Sequence, residues 1–174
     1  MHLAIATLIL IVAWKRGDWK NWRDYHTTMM YFALGNLLYN FLTANHFLWK
    51  LKADFLPNHS LTEMVYTFVT FPLTAFLFLS NYPKDRIGKQ IAHNLKWILI
   101  FTAVEYFLMI TGRIIYQYGW NLYWSIIFDC TMFPMLRLFY KRPVLAYGIS
   151  AIMCVFWVWY FKVPVNVPIE LRRP

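Results

Sequence analysis

The chain has 174 residues, of which 60% are hydrophobic, 21% aromatic and only 14% charged, and its mean hydropathy is +0.41. About a quarter of an ordinary soluble domain is charged, so this composition argues against that class and makes lipid the expected solvent. The formal charge of +9, from 17 Lys and Arg against 8 acids, would raise nucleic acid as the partner of a soluble protein. Here the cations lie between apolar blocks, where anionic membrane headgroups are the simpler counterpart, and no nucleic acid is expected. The length leaves no room for a bundle and a separate soluble domain, so residues 1–174 are read as one integral membrane domain.

The first apolar block, residues 1–14, has no basic leader and no small-residue cleavage site, which predicts a retained helix and not a signal peptide. Rising 1.5 Å per residue it reaches about 21 Å, short of a hydrocarbon core of roughly 30 Å, so it is a short or partial span. Lys15, Arg16, Lys20 and Arg23 then alternate with Trp14, Trp19 and Trp22, the pattern of a helix lying at headgroup level. The second span, 27–49, carries Asn36 and Asn40 one turn apart on one face. A loop over 50–60 with a Pro57-Asn58 turn leads to the third span, 61–79, which has Glu63 in its first turn and Pro72 inside it. Proline frees one backbone carbonyl and bends a helix, and Thr67 and Thr70 are placed to satisfy that carbonyl. A basic loop with Lys84, Arg86 and Lys89 precedes the fourth span, 95–111, whose one acid is Glu105. A brief connection, 112–119, leads to the stretch WNLYWSIIFDCTMFPMLRLFYKRP. Its span, 120–140, is long enough to cross a bilayer yet holds Asp129 at its midpoint, Pro134 as a second kink and Arg137 near its exit. The sixth span is 144–161, and prolines in the tail forbid further helix.

The fold class expected is therefore all-α: a polytopic transmembrane bundle of six spans. With alternating ends, 11 cations (Lys15, Arg16, Lys20, Arg23, Lys84, Arg86, Lys89, Lys96, Arg137, Lys141, Arg142) fall on one side and 6 (Lys50, Lys52, Arg113, Lys162, Arg172, Arg173) on the other. The positive-inside rule makes the basic loops cytoplasmic and puts the carboxy terminus outside. Phe71-Pro72 and Phe133-Pro134 form a weak internal echo, read either as a trace of parallel repeats or as coincidence in a Phe-rich chain.

Helical rise places Glu105 9 residues beyond Lys96, Asp129 9 beyond Trp120 and Asn36 9 beyond Thr27, each about 13.5 Å deep. A carboxylate facing lipid costs several kcal/mol, so both acids are expected to face the bundle interior, where a Glu105–Asp129 pair would share a proton. Asn36, Asn40, Glu105, Asp129 and Arg137 are thus the polar candidates at membrane depth. One reading makes them a proton, ion or small-ligand route; the other makes them a hydrogen-bonded network that fixes helix register. Arg137 also fits a snorkelling role at the inner surface.

Cys130 and Cys154 lie inside apolar blocks, and the cysteine spacing fits neither a disulfide framework nor a metal site. No HxxxH, HExxH or CxxC pattern, phosphate loop or nucleophile elbow occurs, and the histidines lie at the wrong depths for a haem pair buried within one span. No catalytic residue, metal or cofactor is expected, and an enzyme is the less favoured class.

The segment Gly119–Pro143 resembles a family of small multi-pass membrane proteins from Bacillus, Clostridium and related Gram-positive bacteria. The matching residues are Gly119, Trp120, Asn121, Phe133, Pro134, Arg137, Leu138, Tyr140, Lys141 and Pro143, and Glu105 before a large aromatic is similar too. The resemblance covers the carboxy-terminal half and implies a bacterial cell-membrane location with no known activity. The function expected first is a membrane scaffold or interaction module, with lipids and a second copy or a membrane protein as partners. A small transporter or channel component comes second, and a membrane enzyme or redox subunit third.

Overall fold

The computed structural model describes residues 1–172; Arg173, counted above among the outer cations, lies outside the described residues. Six helices follow in order: α1 His2–Arg16, α2 Trp22–Leu42, α3 His59–Ser80, α4 Ile87–Ile110, α5 Leu122–Lys141 and α6 Pro143–Tyr160. Two short strands, β1 Trp49–Leu51 and β2 Ile114–Tyr116, pair antiparallel, with Trp49 opposite Tyr116 and Leu51 opposite Ile114. The molecule is an α-helical bundle with several long apolar helices, consistent with a polytopic membrane protein. Among the described residues, α3, α5 and α6 are long and apolar enough to cross a membrane by length and composition. α1 is too short at 15 residues, and α4 opens with Lys89, Gln90, His93, Asn94 and Lys96 in its first turns.

α3 is the axis of the bundle. Its last ten residues, FPLTAFLFLS, are apolar on every side, and Leu73 to Leu79 are all buried, as a helix must be when it is surrounded by others. α1, α2 and α5 pack around it. Phe32, Phe78, Phe133 and Leu136 meet in one cluster, and Ala13 of α1 meets Phe76 and Leu77 in a second. α6 is the opposite case: 6% of its span is buried, with Ala146 as its one buried residue.

Several boundaries differ from the sequence reading, each for a physical reason. The basic 15–25 segment is not a separate interfacial helix. α1 runs on to Arg16, a single 3-10 turn covers Trp19–Asn21 and α2 begins at Trp22. α2 stops at Leu42, not Trp49, because Thr43 folds its hydroxyl back to the Tyr39 carbonyl at 2.7 Å and Asn45 turns the chain at φ 59. The Arg172 guanidinium donates to the Leu42 and Ala44 carbonyls at 2.7 and 3.2 Å, a cation closing a helix carboxy terminus. The loops over 50–60 and 112–119 contribute β1 and β2, and Gly112 (φ 67) and Gly119 (φ 84) supply the left-handed turns on either side of β2.

Pro72 is accommodated differently as well. Residues Tyr66–Thr70 form a π-helical turn, and the Phe71 amide donates to the Tyr66 carbonyl five residues back. This one-residue widening absorbs the mismatch that the proline ring creates. Thr67 and Thr70 do not patch it: Thr67 Oγ1 accepts from Asn36, and Thr70 Oγ1 has no hydrogen-bond partner. Pro134, by contrast, sits inside an α5 that stays α-helical throughout.

Candidate functional site

Two carboxylate networks lie in the same half of the bundle, beneath the β1–β2 ribbon. The first joins α2 to α3. Asn36 Nδ2 donates to Glu63 Oε2 at 3.2 Å and to Thr67 Oγ1 at 2.8 Å, and Asn40 Nδ2 donates to the same Glu63 oxygen at 3.2 Å. The i, i+4 spacing of the asparagines brings both amides to one acceptor. Asn40 Nδ2 also reaches the Asn36 carbonyl at 3.0 Å, locking its rotamer. Glu63 is buried, and its second oxygen, Oε1, has no hydrogen-bond partner. The nearest ring nitrogen is His59 Nδ1 at 3.9 Å, which is itself 3.0 Å from the Leu51 carbonyl of β1.

The second network joins α4, β2 and α5. Tyr116 OH and Ser125 Oγ both donate to Glu105 Oε1, at 2.7 and 2.5 Å, and Trp120 Nε1 donates to Ser125 Oγ at 2.9 Å. Burial, and next the Glu105 carboxyl, push the Tyr116 hydroxyl far above its ordinary range, so it remains a donor. Asp129 follows Ser125 by one turn, is 5% exposed and leaves Oδ2 without a partner. It lies one turn beyond the Ser125 that binds Glu105, and no hydrogen bond joins the two carboxyls among the described residues.

The five sequence candidates therefore separate into three places. Asn36 and Asn40 meet each other and Glu63. Glu105 and Asp129 are neighbours on facing helices. Arg137 joins neither group: its guanidinium lies over the rings of Tyr82 and Tyr140, at 4.5 and 5.4 Å, at the opposite end of α5. Depth changes too. Glu105 is five residues from the end of α4, about 7.5 Å, and Ser125 is three residues from the start of α5. Glu105 and Ser125 thus lie nearer the ribbon ends of their helices, while Asp129, seven residues into the 20-residue α5, lies closer to its middle. Glu63, Tyr116, Ser125 and Trp120 are members that sequence reasoning missed. One signal was present for Glu63, since it starts α3 at the depth where α2 finishes with Asn40. Tyr116 is placed by the non-local ribbon, whereas Trp120 reaches Ser125 locally, five residues away.

The opposite half of the bundle is packed mainly by aromatic rings, with Thr28 and Thr74 as buried hydroxyls. Phe133 contacts Phe78 and Phe101 at centroid separations of 5.3 and 5.0 Å, and Phe32 stacks on Phe71 at 4.7 Å. The ribbon half has its own aromatic wall, in which Tyr39 stacks on Trp49 at 3.6 Å and Trp120 packs on Phe161 at 5.0 Å. Among the described residues no group of three or more His, Cys, Asp or Glu could hold a metal ion. The arrangement can therefore hold helices in register, with the hydroxyls of Tyr116 and Ser125 both engaged by the Glu105 carboxyl. Comparison with protein-family models, with curated proteins and with solved structures gives no match.

Proposed function

We propose that the chain is a six-span bacterial cell-membrane protein that serves as a scaffold or interaction module, its buried acids acting as register pins between helices. One observation carries this reading. Glu63 Oε2 and Glu105 Oε1 are each held by two neutral donors from neighbouring elements in the ribbon half, while the other half is packed with Phe32, Phe78 and Phe133. A route across a bilayer needs polar stations through its whole thickness, and here the charged stations stop at the aromatic layer. The exposed apolar α6 supplies a face for lipid, a second copy or a membrane protein. The resemblance of Gly119–Pro143 to the small Gram-positive family supports the cell-membrane location.

A proton or ion route is the second reading, and the unpartnered Asp129 Oδ2 beside Glu105 is what favours it. Reconstitution separates the two. Purified chain in liposomes under an imposed pH gradient is expected to pass no more protons than empty liposomes, with Glu105→Gln and Asp129→Asn giving the same trace. Proton flux in the native chain that either variant abolishes, while helicity and melting are retained, would replace the scaffold by the route.

A further inference from the structure

At the end of the bundle away from the ribbon, α2, α5 and α6 leave an open groove of 540 Å³ whose wall includes His26, Met30, Leu34, Phe139 and Tyr147. That volume is in the range of small-molecule clefts, about 300–1,000 Å³. Its floor is rigid and apolar. Tyr31 stacks flat on Phe139 at 4.1 Å and spends its hydroxyl on Ser150 at 2.6 Å, and Tyr147 meets Phe139 edge-on at 5.1 Å. From His26 to Leu34 the wall runs eight residues along α2, about 12 Å, a length suited to the upper part of an acyl chain.

Cations adjoin one end of the groove in sequence. Tyr140 and Pro143 line it, and Lys141 and Arg142 lie between them in the α5–α6 junction. Arg23 stands one turn before Thr27, another lining residue, with its guanidinium 5.9 Å from the Trp22 ring centroid. Arg23, Lys141 and Arg142 are exposed, and among the described residues none forms an ion pair with a carboxylate. No acid lines the groove; Asp24, three residues before Thr27, is the one acid adjoining it on α2, beside the three cations. Three cations against one acid leave the adjoining charge at +2 (3 − 1), which favours a net negative headgroup over a zwitterionic one.

We propose that this groove binds one anionic phospholipid, with its phosphate held by Arg23, Lys141 and Arg142 and one acyl chain along Met30, Leu34 and Tyr147 over the Tyr31–Phe139 stack. Basic sites between transmembrane helices on the cytoplasmic side recognise headgroups in this manner. The inference rests on residence in a bilayer and is independent of whether the acids pin helices or pass protons.

The test is native mass spectrometry of the delipidated full chain in neutral detergent. Phosphatidylglycerol, phosphatidylcholine of the same chains, and glycerol 1-phosphate are titrated separately. Phosphatidylglycerol is expected to bind about tenfold or more tightly than phosphatidylcholine, and glycerol 1-phosphate not detectably. Each surface cation contributes roughly fivefold, so Arg23→Gln, Lys141→Gln and Arg142→Gln together cost about a hundredfold. Leu34→Trp, which fills the groove and leaves the cations in place, weakens the lipid as well. Lys50→Gln with Lys52→Gln, at the ribbon end, changes nothing. Where the triple variant melts early, Arg142→Gln alone with Leu34→Trp carries the comparison. Equal binding of the two lipids, full retention by Leu34→Trp, or glycerol 1-phosphate binding as tightly as the lipid overturns the proposal. A membrane-resident chain without lipid preference sinks this inference and leaves the scaffold reading standing. Recovery of the chain without detergent sinks the membrane reading instead.

Discussion

Glu63 receives both of its donors from asparagine amides, and that chemistry decides which replacement it tolerates. Glu63→Gln keeps an oxygen in the position that accepts from Asn36 and Asn40. It is expected to melt within a few degrees of the parent. Glu63→Leu removes the acceptor, leaves Asn40 without its cross-helix bond and reduces Asn36 to its contact with Thr67. Interhelical hydrogen bonds in membranes average about 0.6 kcal/mol and reach about 1.7, and stranding a buried amide adds to that, so a loss of about 1–2 kcal/mol is expected. Circular-dichroism melts in detergent compare the two, and equal melting of Glu63→Leu and the parent would show that the Asn36–Glu63 clasp carries no stability. How much of this was legible depends on reach. Asn36 and Asn40 declare their shared face by spacing alone. Asp129 stands out as an acid inside an apolar run. Glu63 does not, because an acid in the first turn of a helix is ordinary and nothing local says that it is buried. Arg137 was open to two readings, and its aromatic partners lie one on another segment, which no spacing rule reaches.

At the scale of elements, the closest approach at any glycine is where α1 leaves the bundle. Gly17 has extended backbone at φ -77 and ψ 145, which any residue adopts, so its reason for being glycine is space. A β-carbon there would collide with the Phe76 ring and come within 2.6 Å of the Ala13 carbonyl. Phe76 is fully buried between Trp19 and Tyr25, which hem in its ring. Gly17→Ala is expected to cost about 1–3 kcal/mol, as overpacking does. Gly35→Ala, whose β-carbon would meet nothing within 4 Å, is expected to be neutral or slightly stabilising in mid-helix. Guanidine-free thermal melts of the pair check this, and a Gly17→Ala protein as stable as Gly35→Ala would mean that α1 does not dock on α3 as described. Helices were the legible elements, because their apolar runs are local and long. The ribbon was not, since each strand has three residues and is defined by a partner more than 60 positions away. It also sets the end of α2. Tyr39 donates its hydroxyl to the Trp49 carbonyl at 2.7 Å and accepts the Trp49 amide at 2.9 Å, which draws residues 43–49 off the helix and over its end.

For the whole molecule, the question that patterning poses is which end faces the cytoplasm. Six alternating helices bring both ends of the described chain to the ribbon side. His2 and Met1 meet Asp54 there, and Arg172 meets Leu42 and Ala44. By the positive-inside rule the sequence count of 11 cations against 6 predicts that the opposite side is cytoplasmic. A cysteine-free background, Cys130→Ser with Cys154→Ser, lets single cysteines report the side. Phe55→Cys replaces a residue 81% exposed in the ribbon-side loop, and Lys84→Cys stands in the exposed loop between α3 and α4. In intact cells a membrane-impermeant maleimide is expected to label Phe55→Cys and to reach Lys84→Cys only after permeabilisation. The reverse pattern would invert the orientation and move the lipid groove to the outer leaflet while leaving the bundle intact. Labelling of both in intact cells would mean that α3 does not cross, and since α3 is the helix on which α1, α2 and α5 all pack, the whole transmembrane arrangement would fall with it.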